Sequence, residues 1–356
     1  MIDFLNALLQ SIAINIITLF LLLLLTYFLL IIKYSGISNK FRKWIHPRKR
    51  VYTLNNNCIE EITKLDETYF KNELSEEEID IAVQLYSSRN NSNPFNGDAV
   101  RLDNIILTNN GKLNIEISLV TFFDFLSTNL SIYPANSPIS SFNNVILTIW
   151  RSWKSFEIIG KVKNSVYKYG KIRSFHDVIK IKSLANIITV SLLVIDIDNR
   201  LGIIQRSKKV AISSGNFSVT AAGTLSKEDY ENSDNPFIAC IKREAQEELN
   251  FYDIDIVFDE IIISKQKLQP VFCFTAKLNT RWEDNIDNIK SAKDFSFETK
   301  SIFAVPLNKS ISFISQTVMT DASAYQIWKY VTNQTHKDNW LISSLTPLRI
   351  KKYELK

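Results

Sequence analysis

From Ile16 to Ile32 the chain runs seventeen residues without a charge, and only Thr18, Thr26 and Tyr27 carry polar atoms there. Extended back through Ser11–Asn15, the stretch is about 22 residues, or about 33 Å of helix, enough to cross the hydrocarbon core of a bilayer. It predicts a transmembrane helix within residues 1–32. A cleaved leader has a basic start, a shorter apolar run and a small-residue cleavage site. Here the start carries Asp3, and the run ends at Lys33-Tyr34. Asn6, Gln10 and Asn15 sit near the outer end, where they either hydrogen-bond between neighbouring helices or are solvated.

Beyond the span, the periodicity of "IEEITKLDETYFKNELSEEEIDIAVQLY" predicts two helices that break near Leu74. Ser75 and Glu78 form a capping box, and Leu74 and Ile79 are spaced for a hydrophobic staple. Residues 87–98 and 129–141 are rich in turn formers and predict loops. "AVRLDNIILT" and "KLNIEISLV", joined through Asn109-Asn110-Gly111, predict a β-hairpin. Residues 142–180 show no dominant period. "IITVSLLVIDI", "RLGIIQRS" and "NFSVTAAG" predict three strands, followed by a polar loop, "TLSKEDYENSDN". Asn235 and Pro236 form an N-cap and N1 pair that starts a helix over 236–249. "IDIVFDEIIIS" and "PVFCFTAKL" predict two more strands, and residues 321–331 a late helix. Strands on both sides of a central helix predict a mixed α/β sandwich rather than a doubly wound sheet.

Charge sharpens the membrane reading. Lys33, Lys40, Arg42, Lys43, Arg48, Lys49 and Arg50 follow the span with no acid among them; without these seven the net charge of +5 becomes −2. The basic character is therefore local, a topology determinant and anionic-lipid contact rather than a nucleic-acid-binding face. By the positive-inside rule it places the soluble part in the cytoplasm and a short N-terminus outside. Tyr34 and Trp44 suit the interface. Cys58, Cys240 and Cys273 form no CxxC pair and His46, His176 and His336 are scattered, which argues against a structural zinc site and for reduced thiols. Eight glycines and eight prolines leave no room for a low-complexity linker. The resulting division is a span (1–32), a basic neck (33–50), a helical and strand-rich part (51–183) and a C-terminal domain (184–356).

The helix over 236–249 carries the candidate chemistry. Glu244, Glu247 and Glu248 fall within about a 100° arc, beside an apolar stripe of Phe237, Ile241, Ala245 and Leu249. Arg243 lies four residues before Glu247 and can pair with it. Three like charges on one arc repel, which a solvated helix tolerates at a few tenths of a kcal/mol per pair. A hard divalent cation such as magnesium turns that repulsion into coordination.

These residues resemble a known family. "REAQEELNF", residues 243–251, is similar to the "REUxEExGU" helix of the Nudix hydrolase signature G-x5-E-x7-R-E-U-x-E-E-x-G-U, with Asn250 in place of the glycine. Asn is the next-best residue for a left-handed helix end. Gly223 follows a strand, as in the family. It lies 20 residues before Arg243 where the signature puts 14, and counting back from the helix places the signature's first glutamate at Asn235. The resemblance covers about residues 184–345. It implies an α/β/α sandwich, Mg2+ facing Glu244, Glu247 and Glu248, Arg243 orienting them, and a carbonyl ligand at Ala222 or Gly223. It also implies a later carboxylate as base, with Glu260, Glu283 and Glu298 all open. Arg206, Gly223 and Trp282 are candidate ligand contacts, and Trp282 or Tyr325 could stack on a nucleobase.

Span, basic neck and divergent C-terminal domain together resemble the transmembrane–Nudix effectors of bacterial CBASS anti-phage systems. That resemblance implies an inner-membrane protein that senses a cyclic oligonucleotide made by a partner cyclase, self-associates as a homo-oligomer and disrupts the bilayer. The rival is a membrane-tethered magnesium-dependent hydrolase of a nucleoside diphosphate derivative.

Overall fold

The computed structural model describes residues 14–15, 17–19, 21–22, 43–54, 59–90, 94–107, 113–131, 157–166, 168–210, 212–338, 340 and 348–355. Most of the apolar run Ile16–Ile32, the Asn109–Gly111 turn, most of the loop at 129–141, and Cys58 lie outside them. Among the described residues, no helix is long and apolar enough to cross a membrane.

The N-terminal elements are β1 (Val51–Leu54), β2 (Ile59–Tyr69), α1 (Glu76–Asn90), β3 (Asp98–Leu107), β4 (Leu113–Thr121), α2 (Phe122–Ser127) and α3 (Phe175–Ile179). The predicted hairpin is β3–β4, paired antiparallel. The capping box is present: Glu78 N–H donates to Ser75 Oγ at 3.3 Å and Ser75 N–H to Glu78 Oε2 at 3.0 Å. The first of the two predicted helices is instead the strand β2. Its pairing alongside β4, parallel, overrides a composition that suits a helix, as tertiary context does for a segment carrying Ile, Thr and Tyr.

The second half contributes β5 (Thr189–Ile195), β6 (Arg200–Arg206), β7 (Phe217–Val219), β8 (Ala221–Thr224), α4 (Lys227–Glu231), α5 (Pro236–Leu249), β9 (Ile256–Ser264) and β10 (Gln269–Lys277). It continues with α6 (Trp282–Lys290), α7 (Phe295–Glu298), β11 (Thr299–Pro306), α8 (Leu307–Gln316) and α9 (Asp321–Thr335). The stretch read as a polar loop thus holds the short helix α4, nucleated by a Ser226–Asp229 capping box. α6, β11 and α8 have no counterpart in the sequence reading.

The main sheet runs β1-β9-β10-β5-β6-β11, with β7 on β6 and β8 on β5; only β10–β5 is parallel. Val190, Leu192 and Val194 of β5 join the core with Phe237, Ile241 and Ala245 of α5. Leu193 and Ile195 join the opposite core with Phe313 of α8 and Ile327 of α9. Burial on both faces is why β5 reads as a continuous apolar run rather than an alternating one. The result is a mixed α/β sandwich with helices on both faces of the sheet. The three-stranded sheet β2-β4-β3 is stitched to it at β3. Val100 N–H donates to Leu225 O (3.0 Å) and Ile188 N–H to Val100 O (2.9 Å).

Candidate functional site

α5 is held at both ends by the residues the sequence put there. Asn235 Oδ1 accepts from Ile238 N–H at 3.2 Å, and Asn250 closes the helix in the left-handed region at φ 58°. With Phe237, Ile241, Ala245 and Leu249 buried against the sheet, the adjoining arc carries Glu244 and Glu248 under β8. β8 can lie this close because residue 223 is glycine: a Cβ there would overlap the Glu244 carboxylate.

Arg243 organises the cluster. Its Nε and Nη2 donate to Asp229 Oδ1 and Oδ2, each at 3.0 Å, and Nη2 also reaches Thr224 O at 3.3 Å. Its Nη1 donates to Glu244 Oε1 at 2.7 Å and to Glu247 Oε2 at 3.0 Å. Asp229 was not foreseen. Counting six residues forward from Gly223, as G-x5-E prescribes, lands on it; the extra six residues lie between Asp229 and Arg243, not before Asp229. Burial alone would raise the Asp229 carboxyl, but hydrogen bonds from Arg243 and Ser226 outweigh it and hold it below the usual carboxylate range.

The three helix carboxylates do not act alike. Both oxygens of Glu247 are taken, Oε1 by Lys293 at 2.8 Å and Oε2 by Arg243. Glu244 is pushed up to about 7 by burial, which the Arg243 charge only partly offsets. Glu248, 3% exposed, is raised well above its ordinary value by burial and then by the Glu244 charge. Its Oε2 is buried with no hydrogen-bond partner. Among the described residues, no group of three or more His, Cys, Asp or Glu is arranged to hold a metal ion. Within the expected trio, Lys293 and Arg243 engage both oxygens of Glu247, whereas Arg243 engages one oxygen of Glu244 and Glu248 Oε2 is unsatisfied. The Glu244–Glu248 pair fits a hard divalent cation, which is commonly bound by one or two carboxylates with water and phosphate completing the shell. Two neighbouring carboxylates, Glu248 buried with an orphaned oxygen and Glu244 half-buried, are a donor set that suits such a cation.

The three candidate bases separate cleanly. Glu260 is buried and faces α9, paired with Lys329 Nζ at 2.6 Å and accepting from Tyr325 Oη at 3.2 Å. Glu283 is an exposed partner of Arg200, bound at 2.7 and 2.5 Å. Glu298 alone lies near the pair: its charge acts on both Glu244 and Glu248. Arg206 Nη2 donates to Glu298 Oε2 at 2.9 Å, and Arg206 Nε is buried without a partner.

A cavity of about 150 Å3 opens along the sheet, walled by Gly223, which packs on Glu244, and by Arg206, Lys267, Ser218 and the first turn of α9; neither glutamate of the pair lines it. Burial, and then the Arg206 charge, push Lys267 down to about 8. Arg206 and Gly223 both line the cavity. Trp282 is not: it is fully buried, its ring packs where a Cβ on Gly202 would sit, and Nε1 donates to Arg200 O at 3.1 Å. Tyr325 is likewise buried, bonded to Glu260. Neither ring is free to stack on a base.

No protein-family model matches the chain, and neither does any curated protein. Among solved structures, it is similar to DR0079 from Deinococcus radiodurans (13% identity, 40% of this chain and 82% of that one, TM-score 0.32). It is similar to the MutT protein from Methanosarcina mazei Go1 (17%, 42% and 96%, TM-score 0.28). The Nudix domain of Shewanella oneidensis NrtR, complexed with ADP ribose, matches at 15% identity over 42% of this chain and 90% of that one, TM-score 0.30. At these scores the likeness carries no argument about chemistry, and the site stands on its own geometry.

Proposed function

We propose that this chain is a membrane-tethered hydrolase whose soluble domain cleaves a phosphoanhydride in a nucleotide-type ligand with the help of magnesium at Glu244 and Glu248. The observation that carries the reading is the Glu244–Glu248 pair beneath Gly223, with Glu248 buried and its Oε2 unsatisfied, and with Gly223 also walling a cavity that bears Arg206 and Lys267. Magnesium, when bound, offsets charge on phosphoryl oxygens during attack by water. Arg243, locked by Asp229, keeps Glu244 in place and draws Glu247 aside. Arg206 and Lys267 bring positive charge to a wall of the cavity, where ligand phosphate is neutralised. Glu298 takes the proton as water adds across the P–O–P link, and the bridging oxygen leaves with the second phosphate.

A second reading, an effector that senses a cyclic oligonucleotide and assembles in the bacterial inner membrane, is favoured by one observation. The first turn of α9 walls the cavity, while Trp328 further along α9 packs against His46 of the neck, ring centroids 5.0 Å apart. Ligand site and membrane neck therefore share one helix.

The test uses the full chain in nanodiscs with magnesium. Release of monophosphate products from ADP-ribose or nucleotide sugars, lost in Glu248→Gln, supports the hydrolase. Calorimetric binding of a cyclic di- or trinucleotide without turnover, with ligand-driven clustering, moves the conclusion to the effector. Neither turnover nor binding rejects both.

A further inference from the structure

The neck does not hang from the domain as a loose tether. Pro47–Arg50 is a single 3-10 turn, and at three residues per turn Pro47 and Arg50 share its inner face, where both are buried. Arg48 and Lys49 consequently share the outer face and are exposed. Immediately before the turn, Trp44 is 71% and Ile45 42% exposed. An exposed aromatic ring, an exposed aliphatic side chain and two exposed cations thus fall within six consecutive residues, 44–49.

The element is braced from behind. His46 Nε2 lies 3.0 Å from Asp338 Oδ2, and its ring meets Trp328 and Trp340 edge-on. Asp338 Oδ1 also accepts from Trp328 Nε1 at 3.2 Å. Arg50 Nε donates to Ile45 O at 2.8 Å, its guanidinium lies 5.9 Å from the Trp340 ring centre, and Arg50 O accepts from Lys265 N–H at 2.9 Å. Burying the charged guanidinium of Arg50 while a tryptophan stays outside inverts the usual preference of a soluble surface.

We propose that Trp44, Ile45, Arg48 and Lys49 form a docking surface for an anionic phospholipid bilayer, which seats the folded domain on the membrane. This rests on the membrane anchor in the reading above. Tryptophan beside basic residues is the composition of a bilayer interface, where the ring lies at headgroup level and cations pair with anionic lipid. The apolar run ends at Ile32, and residues 33–43 between it and Trp44 reach at most about 40 Å when extended. Those residues include Lys33, Lys40, Arg42 and Lys43, so the approach to the surface is also basic. A nucleic acid would use the cations but would leave Ile45 without a partner.

The test places the full chain in vesicles of phosphatidylcholine and phosphatidylglycerol containing brominated lipid. Flotation reads the anchor, and tryptophan quenching that is lost in Trp44→Phe reads the docking. The expected results are flotation of every variant, Trp44 quenching that requires the anionic lipid, and an equilibrium for docking lowered about thirty-fold in Arg48→Ala/Lys49→Ala. Chains that float while Trp44 goes unquenched overturn the docking and leave the anchor standing. Chains that do not float overturn both. A Trp44 emission that responds to added RNA and not to anionic lipid assigns the patch to nucleic acid and overturns the proposal.

Discussion

Arg243 and Asp229 meet through two parallel hydrogen bonds, Nε to Oδ1 and Nη2 to Oδ2, each at 3.0 Å. Asp229 is buried, whereas the Arg243 side chain is 35% exposed. Replacing Asp229 by Asn removes one charge and leaves a partly solvated guanidinium, so the cost is about 2 kcal/mol, below that of breaking a fully buried pair. The Asp229 carboxyl is held low, so its contribution is present above the unfolded carboxylate value and is lost as pH falls through the folded one. Urea unfolding at neutral pH should show the loss, and the gap between Asp229→Asn and the parent should narrow in acid. A gap that widens in acid contradicts the pairing.

Gly223→Ala drives a methyl group into the Glu244 carboxylate. The carboxylate has to leave the pair, and magnesium binding should weaken by tenfold or more, which a thermal-unfolding titration with magnesium measures. An unchanged metal response would show that Glu244 is no ligand.

Glu248→Gln separates stability from activity. Without metal, an amide at this site removes a buried charge that Glu244 and Glu298 repel, so the apo protein should gain about 1 kcal/mol. The same change should remove the stabilisation by magnesium and the turnover. A variant less stable without metal yet still stabilised by it contradicts the assignment.

Lys267 gives the cavity a pH signature. Its ammonium, pushed down to about 8 by burial, is charged below that pH in the free protein, and a bound phosphate favours the charged form. Affinity for a phosphorylated ligand should therefore be greatest below about pH 8 and fall above it, approaching tenfold per unit. Lys267→Met should bind weakly with a flat profile. Calorimetry across this range decides it; a parent profile as flat as the variant's would remove Lys267 from the site.

Trp282→Ala should destabilise the fold by about 3–5 kcal/mol, because the indole is fully buried over Gly202 and bonded to Arg200 O. Ligand affinity of the folded fraction should be unchanged. A variant of normal stability and poor affinity would restore the stacking role that the sequence suggested.

What the sequence determined by itself is local. α5, its Asn235 and Asn250 caps, its apolar stripe and the Ser75–Glu78 box depend on neighbours within one or two turns, so spacing alone discloses them. The hairpin β3–β4 was legible for the same reason. Tertiary structure decided whatever depends on distant partners. β2 became a strand because β4 lies beside it, and Trp282 became core because β6 passes under it at Gly202. The course of the chain before β11 brings Glu298, rather than Glu260 or Glu283, near Glu244 and Glu248, and the fold of the longer loop into α4 brings Asp229, rather than Asn235, to Arg243. Glu247 sits on the same helical arc as its neighbours, yet Lys293, 46 residues later, removes it from the pair. Helical spacing sets which side chains share a face; only long-range packing sets which of them lose their water and have their charge disfavoured.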